Sequence, residues 1–123
     1  MSYNEPSYIY KIREIVKYID GDTVDVVIDL GFDITIKRRV RLYGINTPEV
    51  RTRDSEEKKK GYAAKDRLIE LCKLNDSEDN PGNLILKSYG VGKFGRVVGE
   101  IFNDCCNVNK MLVTEGHAEE VDY

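Results

Sequence analysis

A short run between two turn signals constrains this chain most. Val24, Val26, Ile28 and Leu30 alternate with Asp25, Val27 and Asp29, the period of two that an extended strand with one apolar face requires. Asp20-Gly21 stands ahead of the run and Gly31-Phe32-Asp33 behind it, and both favour tight reversals. A half-buried strand bounded in this way needs antiparallel partners. One is available from Ile9 to Ile19, where Ile9, Ile12, Ile15, Val16 and Ile19 are apolar, with a spacing that fits strand and helix alike. The other follows the second turn. Ile34, Ile36, Val40 and Leu42 mark an inward face interrupted by Arg38, and Thr35, Lys37, Arg39 and Arg41 lie on the opposite face.

The rest of the chain supplies a helix, two strands and a second helix. Residues 50–60 read as an exposed loop rich in both charges, in which Asp54 or Ser55 can cap a helix and Asp54 with Glu57 has capping-box spacing. The helix runs to about Lys73, with Gly61, Ala64, Leu68, Leu71 and Cys72 on one face. Its small residues allow close approach to a sheet. A polar loop from Asn75 to Asn83, containing Pro81-Gly82, leads to a short strand from Leu84 to Tyr89. Gly90, Gly92 and Gly95 open the next turn, and Val97 and Ile101 face inward from a further strand, with Arg96 and Glu100 opposite. Asn107 can cap a short helix whose buried stripe is Val108, Met111 and Leu112, and Gly116 stops it. This order predicts an α+β, mainly β domain: a five-stranded OB-fold-like Greek-key barrel with two helices. Residues 1–8 read as a loose lead-in, and 9–123 as one domain, in keeping with a length of 123 residues.

Charge decides which partners are conceivable. The net charge is -3 and the pI about 5.3, so no overall basic footprint marks a nucleic-acid binder. The charge is unevenly placed, however. Lys37, Arg38, Arg39 and Arg41 crowd one segment, while Glu115, Glu119, Glu120 and Asp122 make the tail acidic. Attraction of a polyanion would rest on local fields. The Lys58-Lys59-Lys60 run reads as a solvated helix start. Cys72, Cys105 and Cys106 lack metal-type spacing and cannot all pair, which predicts free thiols in a reducing compartment. With no signal peptide and no apolar run of membrane-spanning length, a cytoplasmic monomer is expected. His117 follows the helix stop and receives no functional role.

The chemistry concentrates at Arg41 to Glu49, read Arg-Leu-Tyr-Gly-Ile-Asn-Thr-Pro-Glu. Thr47-Pro48 stiffens the corner, because proline locks its own φ and pushes the preceding residue out of the helical region. An arginine, a polar pair and a glutamate on one rigid corner are parts suited to a phosphate ester. Asp22 shares the parity of the apolar face of its strand, so its carboxylate is aimed at the edge of a core and needs a partner, of which a metal ion is one. Each residue also has a plainer reading. Asp22 could cap turn amides, Glu49 could open a surface loop, Arg41 and Arg96 could form strand-edge ion pairs, and Lys93 could equally well be solvated or touch a phosphate.

Three stretches taken together resemble the staphylococcal nuclease (thermonuclease) family: Ile19-Asp20-Gly21-Asp22-Thr23-Val24, then Arg41-Leu42 through Asn46-Thr47-Pro48-Glu49, then Lys93-Phe94-Gly95-Arg96. The intervening helix, and Asn109 to Gly116 as a later helix, match as well, so the resemblance runs from about Val16 to Ala118. It implies a calcium-dependent phosphodiesterase acting on DNA and/or RNA, single strands preferred, with 3′-phosphate products. By that resemblance Asp22, Asn46 and the Thr47 carbonyl hold the metal. Glu49 orients or deprotonates the attacking water, Arg41 and Arg96 grip the phosphate, and Lys93 and Phe94 contact substrate. Calcium prefers oxygen ligands, and guanidinium forks match phosphate oxygens. The chain departs from the family pattern at Asn46, where an aspartate is usual and one negative charge is missing. It departs again at Gly92, in place of an acidic residue, and at Phe94, in place of a tyrosine. It ends at Tyr123, before the family's third helix. The alternative expectation is a catalytically silent OB-type module that binds nucleic acid or a protein through a weakened metal site.

Overall fold

The computed structural model describes residues 8–73 and 83–122. Strands β1 (Tyr8–Asp20), β2 (Thr23–Asp29) and β3 (Thr35–Leu42) follow one another, then the short β4 (Ile45–Asn46) and helix α1 (Ser55–Cys72). Strand β5 (Leu84–Val91), a 3-10 turn at Lys93–Gly95, β6 (Val97–Phe102), α2 (Val108–Thr114) and the short β7 (Glu119–Glu120) complete the order. The five longer strands close into a barrel in the order β1-β2-β3-β6-β5. Every neighbouring pair is antiparallel except β3 and β6, which run parallel. The mainly β, OB-fold-like barrel with two helices is therefore the observed architecture. The first strand takes in Tyr8, which the expected lead-in had included. Residues 1–7 of that lead-in, and 75–82 of the expected loop with Pro81-Gly82, lie outside the described residues.

The ambiguous spacing in β1 has a structural cause. Ile12 pairs with Ile28, Ile15 with Val26 and Tyr18 with Val24, and the register shifts between successive pairs. A bulge places two residues opposite one, so β1 advances three residues for every two of β2. An inward face that would normally recur every second residue recurs every third. Ile12 is buried and Ile15 and Tyr18 pack on the core, whereas Ile9 and Val16 face solvent.

Val24, Val26, Val40, Leu42, Leu86 and Ile101 fill the barrel. The apolar alternation outlasts this core. Leu30 and Ile34, expected on inward faces, are 37% and 53% exposed. They close the β2–β3 reversal through a Leu30 N–H to Ile34 O bond of 2.8 Å, and Phe32 at its tip is 97% exposed. This end of the hairpin projects past the barrel wall.

Helix α1 starts where its cap requires. Asp54 Oδ1 accepts from the Glu56 and Glu57 amides at 2.9 and 3.2 Å, satisfying two of the otherwise unpaired first-turn donors. The Asp54 amide donates to Thr52 Oγ1 at 3.2 Å rather than to Glu57, so only one half of the capping box forms. Gly61, Ala64, Leu68, Leu71 and Cys72 are the buried face. Burial pushes the Cys72 thiol up to about 12, which suits a core residue, and all three cysteines are free. No described helix is long and apolar enough to cross a membrane.

Helix α2, capped by Asn107, buries Val108, Asn109 and Leu112. Met111, expected in the buried stripe, is only half-buried. The polar Asn109 is inside because it continues the sheet where β3 leaves it. Its Oδ1 accepts from Ile101 N–H at 3.1 Å, and its Nδ2 donates to Tyr43 O at 2.9 Å and Gly99 O at 3.2 Å. One amide thus satisfies two backbone groups that the departing strand would leave unpaired, Ile101 N–H and Tyr43 O, and adds a second bond to Gly99 O, which also accepts from Tyr43 N–H at 2.7 Å. Asn109→Ala is expected to destabilise the fold by about 3 kcal/mol, the desolvation cost of orphaned buried groups. Urea unfolding checks this, and a midpoint equal to that of the parent would contradict the assignment.

Candidate functional site

The site begins with a reversal that has no room for a side chain. A Cβ on Gly21 would lie 2.7 Å from Ala64 Cβ and 3.1 Å from Thr47 Cγ2. The β1–β2 turn is therefore pressed onto α1 and onto the corner after β4. Asp22, next in that turn, is 6% exposed. Its Oδ1 accepts from the Thr23 hydroxyl at 2.9 Å and its Oδ2 from Thr47 N–H at 3.0 Å. The Asp22 carbonyl accepts from Leu42 N–H at 2.8 Å. A carboxylate taken out of water is tolerable only with such donors and a counter-charge.

Arg41 supplies the charge. Its Nη2 lies 3.4 Å from Asp22 Oδ2 and donates to Asn46 Oδ1 at 3.3 Å, while Nη1 is held by Leu42 O at 2.9 Å. The guanidinium therefore rests against both side chains expected to hold a metal. Asn46 is exposed and pairs across the β4–β7 ladder with Glu119. Thr47 is buried, and its Oγ1 has no hydrogen-bond partner among the described residues. Asp22, Arg41, Asn46 and Thr47 are thus brought together from two distant stretches of sequence.

The donors expected here are all oxygens: the Asp22 carboxylate, the Asn46 side-chain amide and the Thr47 carbonyl. Their chemistry fits a hard cation such as calcium. They carry one formal negative charge, with Arg41 against it. Among the described residues no three His, Cys, Asp or Glu side chains gather where they could hold a metal.

The other expected residues sit around this cluster rather than in it. Glu49 is exposed and lines a groove of about 690 Å³ with Lys17, Arg51, Lys58 and Lys65. Asn46 and Thr47 line a different cavity, about 470 Å³, with Glu57, Lys60, His117 and Glu119. Lys93, Phe94 and Arg96 form a third group on the β5–β6 connection. The parallel register sets Arg41 beside Val98, so Arg96 arrives at the neighbouring strand end. Phe94 has a left-handed φ of 61° and is 92% exposed. Its ring centroid is 5.8 Å from the Arg96 guanidinium carbon. Arg96 is half-buried and its Nε has no partner among the described residues. Two contributors escaped sequence reasoning. The Thr23 hydroxyl lay inside a quoted motif without a role, and Glu119 lies on a strand too short to show a period.

Helix α1 fixes where Glu49 stands. A Cβ on Gly61 would lie 2.6 Å from the Glu49 carbonyl oxygen and 3.0 Å from that of Pro48. The small residues of α1, expected to approach a sheet, instead admit this corner at Gly61 and the β1–β2 turn at Ala64.

A family model described as staphylococcal nuclease homologue matches residues 39–123. The match begins within β3 and contains Arg41, Asn46, Thr47, Glu49, Lys93, Phe94 and Arg96, while Asp22 precedes it. Comparison with the curated proteins finds no match. In an exposed helix Gly61→Ala would stabilise by about 1 kcal/mol. Here it is expected to destabilise by about 1–3 kcal/mol, because the obstructing atoms are backbone. Urea unfolding gives the sign, and a stabilised variant would show that the Pro48-Glu49 corner yields.

Proposed function

The chain belongs to the staphylococcal nuclease homologue family, and on that premise we propose that it is a calcium-dependent phosphodiesterase acting on DNA and/or RNA. The observation that carries the reading is the Arg41 guanidinium lodged between Asp22 Oδ2 and Asn46 Oδ1 at 3.4 and 3.3 Å. A permanently charged, planar fork is held rigidly at the edge of an all-oxygen donor set, where a phosphoryl group and a hard cation can be gripped together.

In this reading Asp22, Asn46 and Thr47 hold the calcium ion. When bound, it polarises the phosphoryl oxygen and lowers the cost of forming a nucleophile from water. Arg41 and Arg96 bind the non-bridging phosphate oxygens and stabilise the charge that grows on them as water attacks. Arg96 Nε, which has no partner among the described residues, supports that role, since an unpaired buried donor calls for an acceptor. The Glu49 carboxylate takes the proton from the attacking water as the oxygen–phosphorus bond forms. The bond from phosphorus to the 5′ oxygen breaks as that oxygen takes a proton from solvent water, which leaves a 3′-phosphate and a 5′-hydroxyl. Lys93 and the outward ring of Phe94 contact the flanking nucleotide, by charge and by stacking.

A second reading has its own support. Asn46 in place of a carboxylate, and the lack of an acidic trio among the described residues, favour a module that binds nucleic acid without turnover. Hydrolysis of labelled single-stranded DNA and RNA across a calcium titration, with a chelator control, separates the two. The enzyme reading expects calcium-dependent cleavage. It expects Glu49→Gln to lose roughly 10²–10⁴-fold in rate and Arg41→Ala roughly 10²–10³-fold. Asn46→Asp is expected to lower the half-activating calcium concentration about tenfold by restoring ligand charge. Cleavage by Glu49→Gln at the parent rate would remove the assigned base. Salt-sensitive binding with no cleavage at any calcium concentration would establish the silent module.

A further inference from the structure

The groove that Glu49 lines is walled by two strands, a loop and a helix, and each contributes cations. Lys17 comes from β1, Arg39 from β3, Arg51 from the loop after the Pro48 corner, and Lys58 and Lys65 from α1. Two carboxylates, Asp20 and Glu49, share the lining. On a protein of net charge -3 this is a concentrated positive surface.

The ion pairs sharpen the picture. Arg39 is committed to Asp25 through bonds of 2.8 and 3.2 Å, and this contact holds the Asp25 carboxyl below its usual range. Asp20 Oδ1 is occupied by Val50 N–H at 3.1 Å. Lys17, Arg51, Lys58 and Lys65 form no ion pair among the described residues. Four cations therefore converge on one groove of about 690 Å³ with no ion pair among the described residues, and with Arg39 they outnumber the two carboxylates of the lining.

An aromatic ring is set among them. Lys58, Tyr62 and Lys65 fall four and three residues apart on α1, which places them on one helix face. Tyr62 is 45% exposed, and Lys65 Nζ lies 5.7 Å from its ring centroid. Cations that track a backbone, interleaved with a ring open to stacking, are the two parts of a surface for unpaired strands. A duplex would offer its phosphates but no free base for Tyr62. Glu49 joins the groove to the site, because it ends the Thr47-Pro48-Glu49 corner whose first residue binds Asp22.

We propose that this groove carries the sugar–phosphate backbone of a single-stranded nucleic acid for several nucleotides beyond the Arg41 corner, with a base stacked on Tyr62. The proposal rests on the reading of nucleic acid as the partner and adds a second, non-catalytic track to it. It gives a role to the helix-start lysines, which sequence alone reads as solvated.

The test is binding of a fluorescent oligothymidylate of about 12 nucleotides to the full chain, in chelator, across a salt series. Without free metal the assay reads binding alone. Absence of calcium-dependent cleavage would therefore fail the catalytic reading without touching this one. The triple variant Lys17→Gln, Lys58→Gln, Lys65→Gln is expected to bind at least about tenfold more weakly. Its salt slope should be shallower by about 2, since each phosphate neutralised on a single strand contributes roughly 0.7. Tyr62→Ala is expected to weaken binding while leaving the slope unchanged. A triple variant with the affinity and slope of the parent would overturn the proposal, as would a parent that binds no oligonucleotide. A duplex of the same length that binds more tightly than the single strand would overturn the choice of occupant.

Discussion

The carboxylate of Asp22 is the interaction on which the arrangement depends. Its strand parity draws it inward, and a charge in that position must be neutralised. Thr23 Oγ1, Thr47 N–H and the Arg41 guanidinium do so together. Breaking a buried pair of this kind costs about 3–5 kcal/mol, because the remaining charge is left uncompensated. The same interactions fasten the β1–β2 turn to the end of β3 and to the corner after β4. The grouping proposed to bind a phosphate is therefore also what closes this end of the barrel, and its arginine is held there by Asp22, Leu42 and Asn46.

Helix α1 organises the two sides of the site. Ala64 receives the turn that carries Asp22, and Gly61 receives the Pro48-Glu49 backbone. One turn of helix thus sets the spacing between the carboxylate at the core edge and the glutamate at the surface. The face that begins at Lys58 runs beside this contact and forms a wall of the cationic groove. Moving α1 would disturb the metal-type donors, the proposed base and the groove at once. A comparable device stands just past Arg41 and Leu42 in Asn109, whose amide takes the place of a strand. Because β3 leaves the sheet just after Arg41 and Leu42, the chain is free to turn into the Thr47-Pro48 corner.

Local signals were read well where a side chain's environment depends on its near neighbours in sequence. The alternation of β2, the Asp54 and Asn107 caps, the buried face of α1 and the stop at Gly116 are all of this kind. Signals failed where the period outran the core or was altered by it. Leu30 and Ile34 keep the alternation but project past the barrel. The residues of β1 lose it because each bulge inserts a residue whose effect depends on the partner strand. Strands β4 and β7 are too short to carry any period, so the Asn46–Glu119 pairing was invisible.

What the sequence determined by itself was the order of the longer elements and the barrel class, and the resemblance to the nuclease family added the candidate residues Asp22, Arg41, Asn46, Thr47, Glu49 and Arg96. Those follow from periodicity, turn chemistry and motif spacing, which are properties of short segments. Only the tertiary structure decided which of them meet. Arg41 lies against Asp22 and Asn46, while Glu49 looks into a separate groove and Arg96 sits on another connection. Convergence of side chains depends on strand register and on how closely a helix can approach a turn. Both are set by packing between segments far apart in the chain, where no local pattern records the distance.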